Sequence, residues 1–300
     1  MSSTVSQWSD QLLMKKAGVD TQIFPQGAFY IVGLPIGNAA DITLRALWTL
    51  SIADVIAAED TRETKKLLER FGIDVPTVSV REHNEVAQVN MIIERLKKGE
   101  RVALVTDAGT PAVSDPGARA VRGVMQAGFR VIPVPGASAV VTALSAAGLE
   151  PSGFHFYGFL PPQVKARQQV LAQLAQRGNS FVLYEAPHRI VDVLKDMANT
   201  LTSSRRVVIA REITKKFETF TAINAGDLLQ WATTHEPRGE YVILVDEEPV
   251  SEQDGLSEQD QAWVMAIAKE LPTSKAAAVA AKVTGMKRDT IYQWLLSLKN

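Results

Sequence analysis

The sequence predicts an α/β protein of two domains with a small helical module behind them. The first domain should hold a mostly parallel sheet, and the second a mixed sheet of α+β type. Three observations carry this. From residue 28 onward, short apolar runs of β character alternate with helical stretches, the pattern of a mostly parallel sheet covered on both faces. The alternation restarts at 149–153. The stretch 246–260 then holds seven acidic residues and no Lys or Arg, and three helical runs follow it. The expected organisation is a flexible leader (1–27), a first α/β domain (28–150), a second (151–248), an acidic linker (249–260) and a helical module (261–300).

The elements follow in order. The run 29–33 (FYIVG) reads as the first strand and leads into the rigid turn Leu34-Pro35-Ile36-Gly37-Asn38. Asp41 or Thr43 caps the helical run 44–50. A short buried strand, 55–58, ends in Glu59-Asp60-Thr61-Arg62, and the helix 63–70 stops at Gly72. Residues 75–80 read as strand, and His83-Asn84-Glu85 precede an amphipathic helix at 86–98. Strands at 102–105 and 129–134 flank a helix near 118–127, and a small-residue helix runs through Ala147. In the second domain, strands are expected at 154–159, 180–185, 206–212, 218–222 and 240–245. Helices are expected to about Arg177, to about Leu201 and at 224–233. The tail should form helices at 261–271, 274–283 and 288–298, a helix-turn-helix-like module around Gly285.

The stretch the chain turns on is 102–117, VALVTDAGTPAVSDPG. An apolar run ends in a tight loop that places Asp107 at a strand end, where open α/β sheets bind ligands. Two Gly and two Pro in the nine residues 109–117 fix the backbone path. Ser114 or Asp115 suits the cap of the next helix, with Pro116 in its first turn.

Composition narrows the function classes. Basic and acidic residues balance at 32 and 33, so nothing in the whole chain demands a nucleic-acid partner. Outside the acidic stretch, however, basic residues exceed acidic ones, which permits a polyanionic partner. The chain has no Cys, which excludes disulfides and thiolate metal sites and points to a reducing cytoplasm. No apolar run approaches a membrane span. The four His are far apart and no HExxH occurs, so no metal site is expected. A GxGxxG loop, a Walker loop and a GxSxG elbow are all absent. What remains is a set of Gly- and Pro-rich strand-end loops: 33–38, 106–110, 135–139 and 184–189. They suit either a ligand cradle built from backbone groups or ordinary β–α connections.

The motifs Gly33-Leu34-Pro35-Ile36-Gly37-Asn38, Ala57-Ala58-Glu59-Asp60-Thr61-Arg62 and His83-Asn84-Glu85 are joined by Asp107-Ala108-Gly109-Thr110-Pro111, Asp115-Pro116-Gly117 and Pro135-Gly136-Ala137-Ser138. Gly158-Phe159-Leu160-Pro161, Tyr184-Glu185-Ala186-Pro187-His188-Arg189 and Arg211-Glu212-Ile213-Thr214-Lys215 complete the set. In this order they resemble the tetrapyrrole methylase superfamily, and within it the branch that methylates small-subunit ribosomal RNA, over residues 28–300. The resemblance implies S-adenosylmethionine in a cleft between two α/β domains and methylation of a cytidine ribose 2′-hydroxyl in the decoding region. It implies a small-subunit rRNA or 30S partner, a cytoplasmic location and a homodimer. Carried over by motif, Pro35, Ile36, Asp107, Thr110, Ser138 and Ala139 form the cofactor pocket, closed by Tyr184, Ala210 and Arg211.

A ribose hydroxyl is a poor acid, so a general base assists its attack on a methyl carbon. Glu59, Asp60, His83 and Glu85 are the candidates. Arg62 stands with them, and Asn84, His188 and Arg189 orient RNA or cofactor. Lys287 and Arg288 of the tail could meet phosphates, while Trp263, Ile267, Ile291 and Leu295 form its apolar stripe. A small-molecule methylase of the same fold and a non-catalytic RNA-binding assembly protein remain open alternatives.

Overall fold

The computed structural model describes residues 11–80, 85–149, 153–248, 258–284 and 286–298. The chain forms two compact units, Met1–Glu248 and Pro249–Asn300.

The first unit contains two five-stranded sheets. Strands β1 (Ala28–Val32), β2 (Val55–Ala58), β3 (Thr77–Ser79), β4 (Val102–Val105) and β5 (Arg130–Val134) make the first, in the order β3-β2-β4-β1-β5. Every pairing in it is parallel. The all-apolar runs of β2 and β4 suit burial on both faces, and all eight of their residues are buried. Helices α2 (Leu44–Ile52), α3 (Thr61–Arg70), α4 (Glu85–Lys97), α5 (Ala118–Gln126) and α6 (Ala139–Ala147) connect or follow these strands. Thr43 caps α2, its hydroxyl accepting the Ala46 N–H at 3.1 Å. Ahead of β1, the short helix α1 (Gln11–Lys16) carries Met14, which lies in the core beside Val19. The expected flexible leader is therefore anchored from Met14 onward, because its scattered apolar side chains pack on one face of the first sheet.

The second sheet has the order β6-β7-β10-β8-β9, from β6 (Phe154–Phe159), β7 (Ser180–Glu185), β8 (Arg206–Arg211), β9 (Thr219–Asn224) and β10 (Tyr241–Val245). Only β6 and β7 pair in parallel; the other three pairings are antiparallel. Helices α7 (Val164–Gln176), α8 (Ile190–Thr200) and α9 (Leu228–Thr234) pack on one face, around Leu171, Leu194 and Leu228. The other face is covered by α6 of the first half, where Val140, Ala143 and Ala147 meet Val208, Val242 and Leu244. The small side chains of α6 let it lie close to that sheet, so the last helix of the first half fixes the two sheets against each other.

In the second unit, α10 (Glu258–Glu270), α11 (Thr273–Thr284) and α12 (Arg288–Ser297) enclose Val264, Ala276, Ala277, Ala280, Ile291 and Leu295. Ile267 packs at the edge of this core. Trp263, expected in the apolar stripe, is exposed instead. The neighbouring Val264 takes the inward position, because one residue along a helix turns a side chain by about 100°. No described helix is long and apolar enough to cross a membrane.

Candidate functional site

The crossover after β1 leads left in the strand order, to β2, and that after β4 leads right, to β5. β1 and β4 are neighbours, so the chain diverges between them, the place where an open α/β sheet leaves a crevice. The loops flanking that crevice are joined through their backbones. Leu34 N–H donates to Gly109 O at 2.8 Å, and Gly33 N–H donates to Val134 O at 3.1 Å. A Cβ placed on Gly136 would lie 2.5 Å from Gly33 O. Only Gly permits that approach, which ties the loops after β1 and β5 to one another.

The loop after β4 is held as tightly. Thr110 Oγ1 donates to Ala137 O at 3.2 Å. Ala112 (φ 68°) and Ser114 (φ 60°) both adopt left-handed backbone, a conformation that costs non-Gly residues free energy and clusters at functional sites. Helix α5 starts at Ala118 as expected, but its N-cap is Gly117, with no side-chain cap bond. Ser114 and Asp115 therefore do not cap it. They line a cavity of about 340 Å³ together with Ile36, Thr110, Ser138, Ala139, Phe159 and Tyr184.

Five expected cofactor residues thus share one cavity: Ile36, Thr110, Ser138, Ala139 and Tyr184. Ser138 occupies the N-cap position of α6 but makes no side-chain cap bond, so its hydroxyl is not used to cap the helix. The Val140 N–H of that helix is instead bonded by the Tyr184 hydroxyl, which lowers the Tyr184 pKa. Burial outweighs this and, with the Asp115 carboxylate adding, pushes the Tyr184 phenol up to about 12. Tyr184 is therefore a neutral group of fixed orientation at physiological pH. Asp115 opens to the cavity, yet desolvation by its walls, and then the carboxylates of Glu59 and Asp107, push its pKa up to about 6. Its protonation therefore changes just below neutrality, as for groups tuned at functional sites.

The other expected residues are placed elsewhere. Pro35 and Asp107 line a second cavity of about 220 Å³ with Thr64 and Arg70. Asp107 Oδ1 accepts the Asp60 N–H at 3.1 Å, and the Asp107 N–H donates to Glu59 Oε2 at 3.4 Å. The ends of β2 and β4 are thereby laced together. Asp60 caps α3, Oδ1 accepting the Arg62 N–H at 2.8 Å, and it also receives the Arg62 guanidinium at 2.7 Å. Ala210 is buried among apolar side chains, and Arg211 donates to Arg238 O at 2.6 Å; neither lines the larger cavity. Arg189 turns inward, donating to Leu160 O at 2.7 Å and pairing with Glu185 Oε1 at 3.3 Å, while His188 is exposed. His83, Asn84 and the Glu85 side chain lie outside the described residues. Lys287 and Arg288 belong to the second unit and are exposed, Arg288 donating to Ser274 Oγ at 2.8 Å. Among the described residues, no group of three or more His, Asp or Glu could hold a metal ion.

Among the cavity residues that sequence reasoning missed are Asp115 and Phe159. Asp115 was hidden by its helix-cap setting. Phe159 was given no role, although a Gly inside its strand, Gly158, was the available signal of a bulge.

Two sheets joined by α6, with the cleft at the point where the crossovers diverge, define a tetrapyrrole-methylase scaffold. Residues 28–229 match the family Tetrapyrrole (Corrin/Porphyrin) Methylases, and 254–299 match the RsmI C-terminal HTH domain. The fold is shared with a solved cobalt precorrin-4 methyltransferase (TM-score 0.56, 21% identity, 75% of this chain and 98% of that one). The methyltransferase CobJ gives 0.55 at 20% identity, covering 74% and 94%. Among relatives, the ribosomal RNA small subunit methyltransferase I of Neisseria meningitidis serogroup B is 48% identical over 91% of this chain and 94% of its own length. Proteins of the same name from Haemophilus influenzae and Escherichia coli O157:H7 are each 43% identical over 90% of this chain, covering 97% and 95% of their own. The chain belongs to the ribosomal RNA small subunit methyltransferase I family, a branch of the tetrapyrrole methylases.

Proposed function

We propose that this chain transfers the methyl group of S-adenosylmethionine to the ribose 2′-hydroxyl of a cytidine in the decoding region of small-subunit rRNA. The observation that carries the reading is Asp115, a carboxylate that lines the cleft with its pKa pushed up to about 6. A cavity of about 340 Å³ walled by Ala108, Gly109, Ala139 and Ala186 suits a nucleoside-sized ligand. Burial, and then the carboxylates of Glu59 and Asp107, raise the Asp115 pKa, and a cation beside it would favour its charged form. Both features fit a sulfonium nucleoside. Ile36, Thr110, Ser138, Ala139 and Tyr184 would hold it, with Pro35 and Asp107 shaping the loops behind. When bound, it supplies an activated methyl group on a good leaving group.

What remains for the protein is positioning and removal of one proton. Asp115 takes the base role in this reading, ahead of Glu59 and Asp60, which are engaged in lacing β2 to β4 and capping α3. Ser138 offers a hydroxyl to the ligand, and Tyr184 a neutral aromatic wall. Lys287 and Arg288 belong to a helical unit that docks rRNA or the 30S particle. A cytoplasmic homodimer completes the proposal.

The test is transfer of a labelled methyl group to 30S particles, with uroporphyrinogen as the competing acceptor. Wild type should label particles and not the porphyrinogen; the reverse would sink the RNA reading. Asp115→Asn should lower kcat/KM about 100-fold or more, the scale of a lost general base. A carboxylate must be ionised to accept a proton, so wild-type kcat/KM should fall as pH drops through about 6. That limb should vanish in the variant. Because the fold disfavours the charged form of Asp115, the variant should melt at the same temperature or higher at pH 7. An unchanged acid limb in Asp115→Asn would assign the base to another residue.

A further inference from the structure

Strand β6 is an edge strand with an irregularity in its middle. Its register against β7 runs Phe156↔Val182, then Gly158↔Leu183 and Phe159↔Tyr184. Val182 and Tyr184 are two apart and share one face of the sheet, but their partners are three apart. One extra residue has been inserted, and an insertion reverses which face every following side chain takes. It brings Phe159 onto the face that already holds Phe156 and Tyr184. Without it, Gly158 would stand opposite Tyr184 and Phe159 would point away from the cleft.

The insertion is fixed from both sides. Gly158 has φ +85°, and a Cβ there would lie 2.7 Å from Ser114 Oγ, so the bulge is seated against the strained loop that presents Asp115. The result is an aromatic row around Tyr184. Phe156 lies 4.9 Å from it and Phe159 5.6 Å, both edge-to-face at 64°. Phe156 is partly buried in the core beneath. Phe159 lines the cavity while remaining 52% exposed, which places it at the mouth. An edge-to-face contact occupies at most one face of a ring, so the Phe159 ring keeps a face for a ligand.

We infer that Phe159 is the stacking platform for the base of the acceptor nucleotide, a specificity-determining residue of the methyl-transfer site. The inference rests on the RNA reading above. A 2′-hydroxyl reaches a walled cleft only if its nucleotide leaves the neighbouring stack, and proteins that take single nucleotides this way replace the lost stacking with an aromatic ring. A ring half open to solvent at the rim suits a base arriving from outside. A cofactor adenine would be enclosed by the inner residues Ile36, Ser138 and Ala139.

The full-length protein and Phe159→Ala, Phe159→Leu and Phe159→Trp are compared in three measurements: methyl transfer to 30S particles, S-adenosylmethionine affinity by calorimetry, and anisotropy of labelled single-stranded oligocytidine. Phe159→Ala and Phe159→Leu should each raise the particle KM and the oligocytidine Kd about tenfold, the scale of one lost base stack. Phe159→Trp should restore both, and cofactor affinity should stay the same throughout. Full activity in Phe159→Leu would show plain apolar packing and overturn the platform. So would a loss of cofactor affinity, which assigns the ring to the cofactor, or an altered sedimentation state, which assigns it to a subunit contact. If wild type labels no particles yet oligocytidine binding still depends on the ring, the acceptor reading fails and the platform stands. If particles are labelled equally by all four proteins, the platform fails and the acceptor reading stands.

Discussion

The two halves of the first unit close on the cleft by different means. The half ending at residue 149 grips with backbone: Leu34 on Gly109, Gly33 on Val134, and Gly136 packed bare against Gly33. The half from 153 to 248 walls it with side chains: Tyr184 and Phe159, with Phe156 packed beneath them, backed by Arg189 holding Glu185 and the Leu160 carbonyl. Backbone joints tolerate almost no change of volume, whereas side-chain walls depend on charge and hydrogen-bond partners. The same substitution type should therefore fail for different reasons on the two sides.

The largest effect is expected in the second half. The Glu185 side chain is fully buried, and burial raises its pKa against the opposing Ala186 N–H and Arg189. Arg189→Ala strands this carboxylate and should cost about 3–5 kcal/mol in urea unfolding, as for a broken buried pair. Adding Glu185→Gln should recover part of that loss. If the double variant is no more stable than Arg189→Ala, the ion pair is not what Arg189 provides. This placement also changes its expected function: a guanidinium spent on Leu160 O shapes the turn that carries Phe159 and does not reach out for RNA.

A smaller loss is expected from Gly136→Ala, about 1–3 kcal/mol for overpacking, accompanied by weaker cofactor binding because Ser138 lies two residues on. Gly153→Ala, with nothing within 4 Å of the new Cβ, serves as the control and should be close to neutral. Equal effects at the two positions would mean the loops after β1 and β5 are not rigidly joined.

This contrast also explains what could be read from the sequence. Backbone-built loops announce themselves, because Gly and Pro are the residues that permit them; 33–38, 106–110 and 135–139 were legible on that ground. Strands 55–58, 102–105, 154–159 and 180–185 were legible from their apolar runs, and the observed bounds are the same. The side-chain wall was legible only in part: Tyr184 followed from its motif, whereas Phe159 did not. Phe159 faces the cleft only because one residue is inserted in β6, and no periodicity in FHFYGF reveals which face follows the bulge. Asp115 looked like a helix cap because Ser, Asp and Pro before a helical run are cap residues, and the left-handed turn at Ala112 and Ser114 that delivers it to the cavity has no composition signature. Trp263 and Met14 fail similarly: burial depends on what packs against a short helix, which the helix itself does not encode.

The smallest structural effect should come from Arg62, and it separates architecture from function most cleanly. Its side chain is 79% exposed, and its partner Asp60 caps α3 through the Arg62 backbone N–H. That bond survives truncation of the side chain, and exposed ion pairs add little to stability. Arg62→Ala should therefore leave the urea midpoint and cofactor affinity unchanged. If the guanidinium meets an RNA phosphate, the variant should bind 30S particles more weakly, with the slope of log K against log salt reduced by about one. Weaker binding with the wild-type salt slope would assign Arg62 a contact other than phosphate. Unchanged binding would reduce Glu59-Asp60-Thr61-Arg62 to what its hydrogen bonds already make it, a capped helix start laced to the loop after β4.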